Sequence, residues 1–375
     1  NMTTIYLIRH AEAEGNLYRR IHGWYDALVT ENGLRQIQAL EQRFQGEHFD
    51  AVWSSDLYRT CTTARAVYEP RGLELRTDPE LRELNMGDWE DQTWGQVRRT
   101  QPGELDRFNR NAPEFRAEGG ESFRELRRRT TASVRQLVRN HPGQTVAVVS
   151  HGTAIRNLLA AFQNIPEADS ARLPHSDNTA VSLLEFDGDA VRVVFHDDAS
   201  HLPAELSTMA RQRRRGQRAE AWFKPLEDER DWELYTLARE EAWKEVHGSL
   251  RGYDGPGFLS EARDQWFLDR RAVQLVMAED QVVGLLHLST GREATEGVGH
   301  VSLLYIAPQC RRHGLGIQAL GQAIFTYRAM GRRVLRLRCA PDNLPAQALY
   351  RSAGLVRVGA VPGAEGELDI LELEL

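Results

Sequence analysis

The chain has 375 residues, 41% hydrophobic and 27% charged, so it is too apolar for a disordered protein and too long for one typical domain. A formal net charge of -7 argues against a general nucleic-acid-binding protein. Cys61, Cys310 and Cys339 have no CxxC or Cys/His spacing, and no apolar stretch approaches membrane-spanning length, so we expect a cytoplasmic protein without a disulfide framework, a metal site or a membrane partner.

The first half of the chain repeats a strand, a loop and a helix. Short apolar runs at 3–8, 50–54 and 145–150 predict buried strands, and each is followed by a helical pattern, at 30–44, 57–68 and 153–162. Repeated units of this kind predict an α/β domain, a parallel-sheet sandwich with helices on both faces. Two further strands are predicted at 180–186 and 190–195.

A polar stretch containing the basic cluster 211–215 then interrupts the pattern. We place a linker at 204–218, with one domain at 2–203 and a second at 219–375. The second domain alternates strands and helices in another order, with a long helix at 232–247, three strands between 272 and 306, and a helix at 316–330. This order predicts a mixed α+β domain.

Charged side chains follow the predicted strands of the first domain, where the carboxyl ends of parallel strands form a ligand-binding edge. They are Arg9, His10, Arg59 and His151. Guanidinium groups and a second imidazole can neutralise the charge on a phosphoryl group while a first imidazole attacks it in line. The pattern favours phosphoryl-transfer chemistry with His10 as the nucleophile and no metal or cofactor.

Three segments, L-I-R-H-A-E-A-E-G-N, S-S-D-L-Y-R-T-C-T-T-A and V-V-S-H-G-T-A-I-R, resemble the motifs of the histidine phosphatase superfamily, the phosphoglycerate-mutase-like group. The resemblance covers roughly residues 2–203. It implies a phosphate pocket formed by Arg9, His10, Arg59 and His151 and a small phosphorylated metabolite as substrate.

The same resemblance assigns roles to residues around the pocket. Asn16 is expected to bind phosphate, and Glu83, within L-R-E-L-N-M-G-D-W-E, to protonate the leaving oxygen. Ala11 replaces the usual Gly, and His22 stands before Gly23 where many members have Gln, so we place His22 and Gly23 among the substrate-contacting residues. The short segment between Glu83 and His151 favours a phosphatase over a mutase, which stays the alternative.

In the second domain, V-S-L-L-Y-I-A-P-Q-C-R-R-H-G-L-G-I-Q-A-L ends a strand and enters a helix. Amide groups at a helix N-terminus beside two glycines suit a pyrophosphate. This string and D-N-L-P-A-Q-A-L-Y-R-S-A-G-L resemble motifs of the GCN5-related N-acetyltransferases (GNATs). The resemblance implies acetyl-CoA as cofactor, an amine acceptor, and a set of cofactor-binding residues: Ile306, Arg311, Arg312, His313, Gly314, Leu315, Gly316 and Asn343.

By the same resemblance Tyr350 protonates the departing thiolate. His300 occupies the strand where related enzymes often have a Glu base, so it is either the general base or a structural residue. The sequence thus predicts a bifunctional enzyme. Two alternatives remain, namely a phosphoglycerate mutase with an appended domain and a phosphatase with a non-catalytic CoA-sensing module. The sequence assigns no oligomeric state.

Overall fold

A computed structural model describes residues 1–214 and 218–375. Within them, Asn1–Gln92 and Val97–Arg214 form one compact unit, and Thr93–Gln96 with the described chain after Arg214 form a second. Residues 215–217, which belong to the predicted linker and include the last Arg of its basic cluster, lie outside the described residues.

The first unit is built on a six-stranded sheet. Its strands are β1 (Thr3–Arg9), β2 (Ala51–Ser54), β3 (Leu75–Thr77), β4 (Thr145–Ser150), β5 (Val181–Asp187) and β6 (Ala190–Asp198). The helices are α1 (Glu14–Tyr18), α2 (Glu31–Arg43), α3 (Tyr58–Arg71), α4 (Trp94–Thr100), α5 (Pro102–Asn109), α6 (Phe123–Asn140), α7 (Gly152–Phe162) and α8 (Thr208–Arg214). The first three residues of α4 group with the second unit.

The sheet is mixed, with the strand order β3-β2-β4-β1-β5-β6. The predicted parallel arrangement holds for β3, β2, β4 and β1. β5 instead runs antiparallel to β1, and β6 runs antiparallel to β5. A two-residue turn at Gly188 and Asp189 joins them, with Gly188 at a φ of 59°, and so short a connection can only link antiparallel strands.

Helices cover both faces of this sheet, as predicted. Side chains alternate along β1, so Ile5 and Leu7 pack with α6 and α7, whereas Ile8 packs with α2 and α3. β4 alternates in the same way, with Val148 on the first face and Val149 on the second. The carboxyl ends of β1, β2 and β4 therefore meet at one edge of a sheet held by two cores.

The first part of the predicted linker packs onto the first unit through polar contacts. The buried carboxylate of Glu12 accepts hydrogen bonds from the side chains of Thr30, Asn32 and Thr208. The Gln36 amide donates to the Leu206 carbonyl and the Thr208 hydroxyl. Residues 206–208 are thus part of the first unit's packing, which their polar composition did not indicate.

The second unit contains a seven-stranded mixed sheet. Its strands are β7 (Ala221–Pro225), β8 (Val273–Ala278), β9 (Gln281–Ser289), β10 (Val298–Ile306), β11 (Val334–Cys339), β12 (Val356–Gly363) and β13 (Gly366–Glu374). The helices are α9 (Glu229–His247), α10 (Gly255–Leu268), α11 (Leu315–Ala329) and α12 (Leu344–Ser352). No helix in the described parts of the chain is long and apolar enough to cross a membrane.

The parallel strands β10 and β11 are paired along only part of their length. They pair from Val298 to Val301, yet β10 continues to Ile306, and its register shifts at Ser302. α11 connects them. The N-terminus of α11 follows the end of β10, so the amides of the glycine-containing loop lie at the edge where the two strands separate.

Candidate active sites

His10 follows the last residue of β1 and is 5% exposed. Its Nδ1 lies 2.7 Å from the Ala11 carbonyl oxygen, which can only accept, so Nδ1 carries the ring proton and Nε2 has a free lone pair. Burial and the positive charges of Arg59 and Arg9 lower the pKa of His10 well below its usual value. The imidazole is therefore neutral at physiological pH and poised as a nucleophile through Nε2.

Two arginines flank this imidazole. Arg59, 2% exposed on α3, donates to the backbone carbonyls of Tyr25, His22 and Gly23 at 2.7, 3.2 and 2.6 Å. Burial lowers the pKa of Arg59 to about 10, which leaves it charged. Arg9 donates through Nη1 to the Ser176 carbonyl, and its buried Nε has no partner among the described residues.

His151 is the N-cap residue of α7 and is fully buried. Its ring lies 5.2 Å from that of His10, centre to centre. Its Nε2 lies 2.8 Å from the hydroxyl of Ser55, at the end of β2, and its buried Nδ1 has no partner among the described residues. The structure therefore brings Arg9, His10, Arg59 and His151 together, and it adds Ser55, which the sequence analysis missed.

Glu83 lies beside the same helix terminus. Its carboxylate accepts hydrogen bonds from the backbone amides of Thr153 and Ala154 at 3.0 and 2.9 Å. The carboxylate also acts electrostatically on both buried arginines, Arg9 and Arg59. Glu83 therefore lies at the edge of the pocket that the four residues form.

Asn16 supports the loop after the nucleophile. Its Oδ1 accepts from the Ala13 amide at 3.0 Å and from the side-chain amide of Asn178 at 3.3 Å. Asn178, which the sequence analysis also missed, donates to the His10 carbonyl at 3.0 Å. The amide side chains thus fix the backbone at His10.

His22 and Gly23, which the sequence analysis places among the substrate-contacting residues, lie in the segment whose carbonyls hold Arg59. The His22 side chain is buried, stacks on Tyr25 with ring centres 4.3 Å apart, and its Nε2 lies 3.0 Å from Asp91. The Gly23 amide donates to the Glu90 carboxylate at 3.0 Å. Both residues contact Arg59 through their backbone carbonyls.

Glu90 holds this segment in place and was not predicted as a site residue. Its carboxylate accepts from the amides of Gly23, Trp24, Tyr25 and Met86. The chain segment that Glu90 holds also carries the backbone carbonyls that bind Arg59. The W-E pair of the sequence motif was the available signal for Glu90, but the sequence could not show which amides it binds.

The profile of the histidine phosphatase superfamily (branch 1) matches residues 5–199, more than half of the chain. The chain belongs to the histidine phosphatase superfamily. A relative described as "Probable phosphoglycerate mutase GpmB", from Yersinia pestis (strain Pestoides F), is 35% identical over 185 residues, which span 49% of this chain and 86% of the relative.

Solved structures show the same similarity. Bacillus stearothermophilus YhfR is 34% identical, with a TM-score of 0.51 over 53% of this chain and 98% of its own. A mycobacterial glucosyl-3-phosphoglycerate phosphatase is 26% identical, with a TM-score of 0.50 over 53% of this chain and 100% of its own. Both likenesses cover about half of this chain.

The second unit has its own candidate site at the glycine-containing loop between β10 and α11. Arg312 and Gly314 adopt left-handed φ values of 68° and 79°. Gly314 is the N-cap of α11, so the amides of the first turn, including those of Leu315 and Gly316, point out of the helix end. This end suits an anion such as a pyrophosphate.

Residues of this loop form hydrogen bonds with other segments of the second unit. Arg311 donates through Nε to the Ile306 carbonyl at 2.8 Å, and its Nη2 lies 2.9 Å from each carboxylate oxygen of Glu245 on α9. The His313 carbonyl accepts from the Ala219 amide at 3.1 Å. Arg311 and Ile306 thus shape the loop, and the backbone is the part presented at the helix end.

Tyr350 lies on α12, whose N-cap is Asn343. The Asn343 side-chain oxygen accepts from the Ala346 amide at 3.4 Å, so it caps this helix in addition to its expected role at the cofactor. Burial raises the pKa of Tyr350, and the nearby Cys339 adds to the rise. Its phenol stays protonated at physiological pH, as a proton donor requires.

His300 lies on β10 within its paired segment and is 4% exposed. Its Nε2 is 3.2 Å from a carboxylate oxygen of Glu293 but is not aligned for a hydrogen bond. Burial lowers the pKa of His300 below its ordinary value. The imidazole is therefore neutral and able to accept a proton.

The profile of the acetyltransferase (GNAT) family matches residues 219–355. The chain therefore contains a histidine phosphatase domain and a GNAT domain, as the two sets of motifs predicted.

Proposed function

We propose that this chain is a bifunctional enzyme, which hydrolyses a small phosphomonoester through a phosphohistidine on His10 and transfers an acetyl group from acetyl-CoA to an amine. The geometry of His10 carries the first half of the proposal. Its Nδ1 faces a carbonyl oxygen, so the lone pair of Nε2 is free to attack phosphorus.

In the first step Nε2 bonds to phosphorus as the bond from phosphorus to the leaving oxygen breaks. Arg9, Arg59 and His151 neutralise the charge on the non-bridging oxygens. Three backbone carbonyls hold the Arg59 guanidinium in place, and the other two of its five N–H groups would bind the phosphoryl oxygens.

Glu83 would supply the proton that the leaving oxygen needs. Each carboxyl oxygen has two lone pairs, so Glu83 can carry a proton on one and still accept the amides of Thr153 and Ala154. In the second step the ionised Glu83 takes a proton from water, the water oxygen bonds to phosphorus, and the bond to Nε2 breaks, which restores His10 and releases phosphate.

Substitution of the nucleophile tests this half. His10→Ala should abolish phosphate release from an aryl phosphate and remove an acid-labile phosphoenzyme that wild-type protein forms with labelled substrate. His48→Ala is the matched control, because the His48 side chain is 78% exposed. Turnover by purified His10→Ala protein at the control rate would contradict the mechanism.

The mutase alternative rests on the relative described as a probable phosphoglycerate mutase. A neighbouring structure named for a phosphoglycerate-derived substrate is a phosphatase. An assay that follows both phosphate release and transfer between 2- and 3-phosphoglycerate separates the two. Net release with slow transfer supports the phosphatase, and fast transfer without release supports the mutase.

The acetyltransferase half is supported by the amides at the N-terminus of α11, which have no acceptor within the helix, and by the end of the β10–β11 pairing at Val301. Residues 311–316 would bind the pyrophosphate of acetyl-CoA, which supplies an activated thioester when bound. Tyr350 would hold the proton for the thiolate, and His300 is the nearest candidate to accept the proton of the amine.

Tyr350→Phe separates binding from catalysis, because it removes one oxygen and little volume. Acetyl-CoA should stabilise the variant against heat as it does the wild type, since the backbone amides are unchanged. Acetyl transfer to an accepted amine should fall by about 10² to 10⁴, the contribution of a positioned acid. A wild-type transfer rate would make Tyr350 a packing residue.

The alternative for this domain is a CoA-sensing module. In that case acetyl-CoA would change the phosphatase rate of the whole chain without being consumed. A screen of amines and phosphorylated metabolites, with and without acetyl-CoA, decides between the two by measuring CoA release alongside phosphate release.

A further inference from the structure

In His151, the second histidine of the phosphate pocket, one ring nitrogen already contacts a protein side chain. His151 Nε2 lies 2.8 Å from the Ser55 hydroxyl, whereas the buried Nδ1 has no partner among the described residues. Ser55 thus occupies one side of the ring. If His151 donates to a phosphoryl oxygen, only Nδ1 can do so.

A neutral imidazole has a single N–H, so the protonation of its two nitrogens is linked. Burial and the charge of Arg59 lower the pKa of His151 well below its ordinary value, which makes the ring neutral at physiological pH. A proton on Nδ1 then requires Nε2 to accept. The partner at Nε2 must be the donor of that hydrogen bond.

The surroundings of Ser55 allow two opposite chains of hydrogen bonds. The Ser55 and Thr60 hydroxyl oxygens lie 2.5 Å apart, and Thr60 Oγ1 also lies 3.0 and 2.9 Å from the carbonyls of Ser55 and Leu57. If Thr60 donates to a carbonyl, Ser55 donates to Thr60, and Nε2 carries the ring proton. If Thr60 donates to Ser55, the Ser55 proton is free for Nε2.

We propose that Ser55, supported by Thr60, is a positioning residue that donates to Nε2 of His151 and holds the ring in the tautomer whose Nδ1–H faces the phosphoryl group. The buried Nδ1 without a partner favours this direction, because the opposite one would leave a bare lone pair of Nδ1 as the group that meets an anion. Thr60 then donates its hydroxyl hydrogen to Ser55 instead of to a carbonyl.

This inference rests on the proposed phosphatase function for its meaning, but the tautomer can be measured without turnover. Nitrogen NMR of the full chain labelled in histidine distinguishes a protonated from an unprotonated ring nitrogen. The chain has 12 histidines, and the signals missing from His151→Gln assign the ring. Wild-type protein at neutral pH should show Nδ1 protonated and Nε2 unprotonated.

Ser55→Ala removes the donor and Ser55→Thr retains it. We expect Ser55→Ala to lose the fixed tautomer, to weaken inhibition by inorganic phosphate, and to lower kcat/KM by about ten- to hundred-fold, as for a hydrogen bond to a charged group. Ser55→Thr should restore the tautomer and part of the rate. A merely structural serine would not change the protonation pattern of His151.

Ser54→Ala is the matched control. Ser54 is also fully buried at the end of β2, but its hydroxyl donates to the Ser55 carbonyl at 2.7 Å, not to an imidazole. Ser54→Ala should keep the wild-type tautomer and rate.

A wild-type spectrum with Nε2 protonated, or a Ser55→Ala variant with unchanged tautomer and rate, would overturn the proposal. If Ser55→Ala does not fold, the wild-type spectrum alone decides. Absent phosphatase activity would refute the proposed function and leave the tautomer result standing.

Discussion

The pocket formed by Arg9, His10, Arg59 and His151 keeps its imidazoles neutral by burying them next to cationic arginines. Burial and the positive charge of Arg59 lower the pKa of both His10 and His151. The sequence could predict the residue types, because the motifs contain them. It could not predict Ser55, Asn178 or Glu90 as partners, because these contacts join distant segments and depend on side-chain direction.

Glu83→Gln tests the proton donor by leaving-group dependence. An amide can occupy the place of the carboxyl group but cannot deliver its proton. We expect hydrolysis of an alkyl phosphate to fall by about 10² to 10⁴, whereas an activated aryl phosphate, whose leaving group needs little protonation, should lose far less. The measurement is kcat/KM for both substrates on the same preparation. Equal losses would show that Glu83 does not act as the acid.

At the scale of elements, apolar periodicity predicted the strands and helices that line both sites. It missed β3, a three-residue edge strand with two exposed residues, which leaves no apolar pattern to detect. It left residues 204–218, which include α8, as a linker, because residues 206–208 bind the first unit through hydrogen bonds, which apolar periodicity does not detect. The antiparallel pairing of β5 with β6 follows from their two-residue turn, a local feature that strand patterns alone do not contain. The antiparallel pairing of β5 with β1 joins distant segments, which local patterns do not specify.

A buried histidine joins three elements of the second unit and makes its stability depend on pH. His287 on β9 lies 3.1 Å from the Tyr235 hydroxyl of α9 and 2.7 Å from the Gln265 side chain of α10. Burial lowers the pKa of His287 to about 3. Below pH 6.5 the unfolded chain therefore binds a proton that the folded chain does not, so stability falls as pH falls towards 3.

His287→Gln removes this titration while keeping a polar side chain. Between pH 6.5 and 4.5 the wild type should lose about 2 kcal/mol more stability than the variant, because one group with an unfolded pKa near 6.5 no longer titrates. Calorimetric unfolding of both proteins across this range provides the measurement. The variant will be less stable at neutral pH, so only the slopes are compared. Parallel curves would show that His287 does not titrate on unfolding.

At the scale of the whole molecule, each unit has its own sheet and its own buried core. Trp232, Leu275 and Leu285 belong to the core of the second unit, and Leu7, Val148 and Leu158 to one of the two cores of the first. Such units are expected to fold separately. The sequence analysis placed the boundary within 204–218, and the hydrogen bonds of residues 206–208 favour a cut near its C-terminal end.

Two fragments that differ at their C-terminus test this refinement. A fragment of residues 1–214 keeps the Thr208 hydroxyl on the buried Glu12 carboxylate and the Ser207 hydroxyl on Asp177, at 2.9 and 2.5 Å. A fragment of residues 1–203 loses both and leaves buried carboxylate oxygens without these donors, at about 1–3 kcal/mol each. We expect both to fold, with the shorter fragment melting at least several degrees lower, since about 1 kcal/mol shifts Tm by about 2–4 °C at this size. Thr208→Val in the longer fragment should reproduce part of the loss. Equal melting temperatures would show that residues 204–214 add nothing to the first domain and that the cut belongs at residue 203.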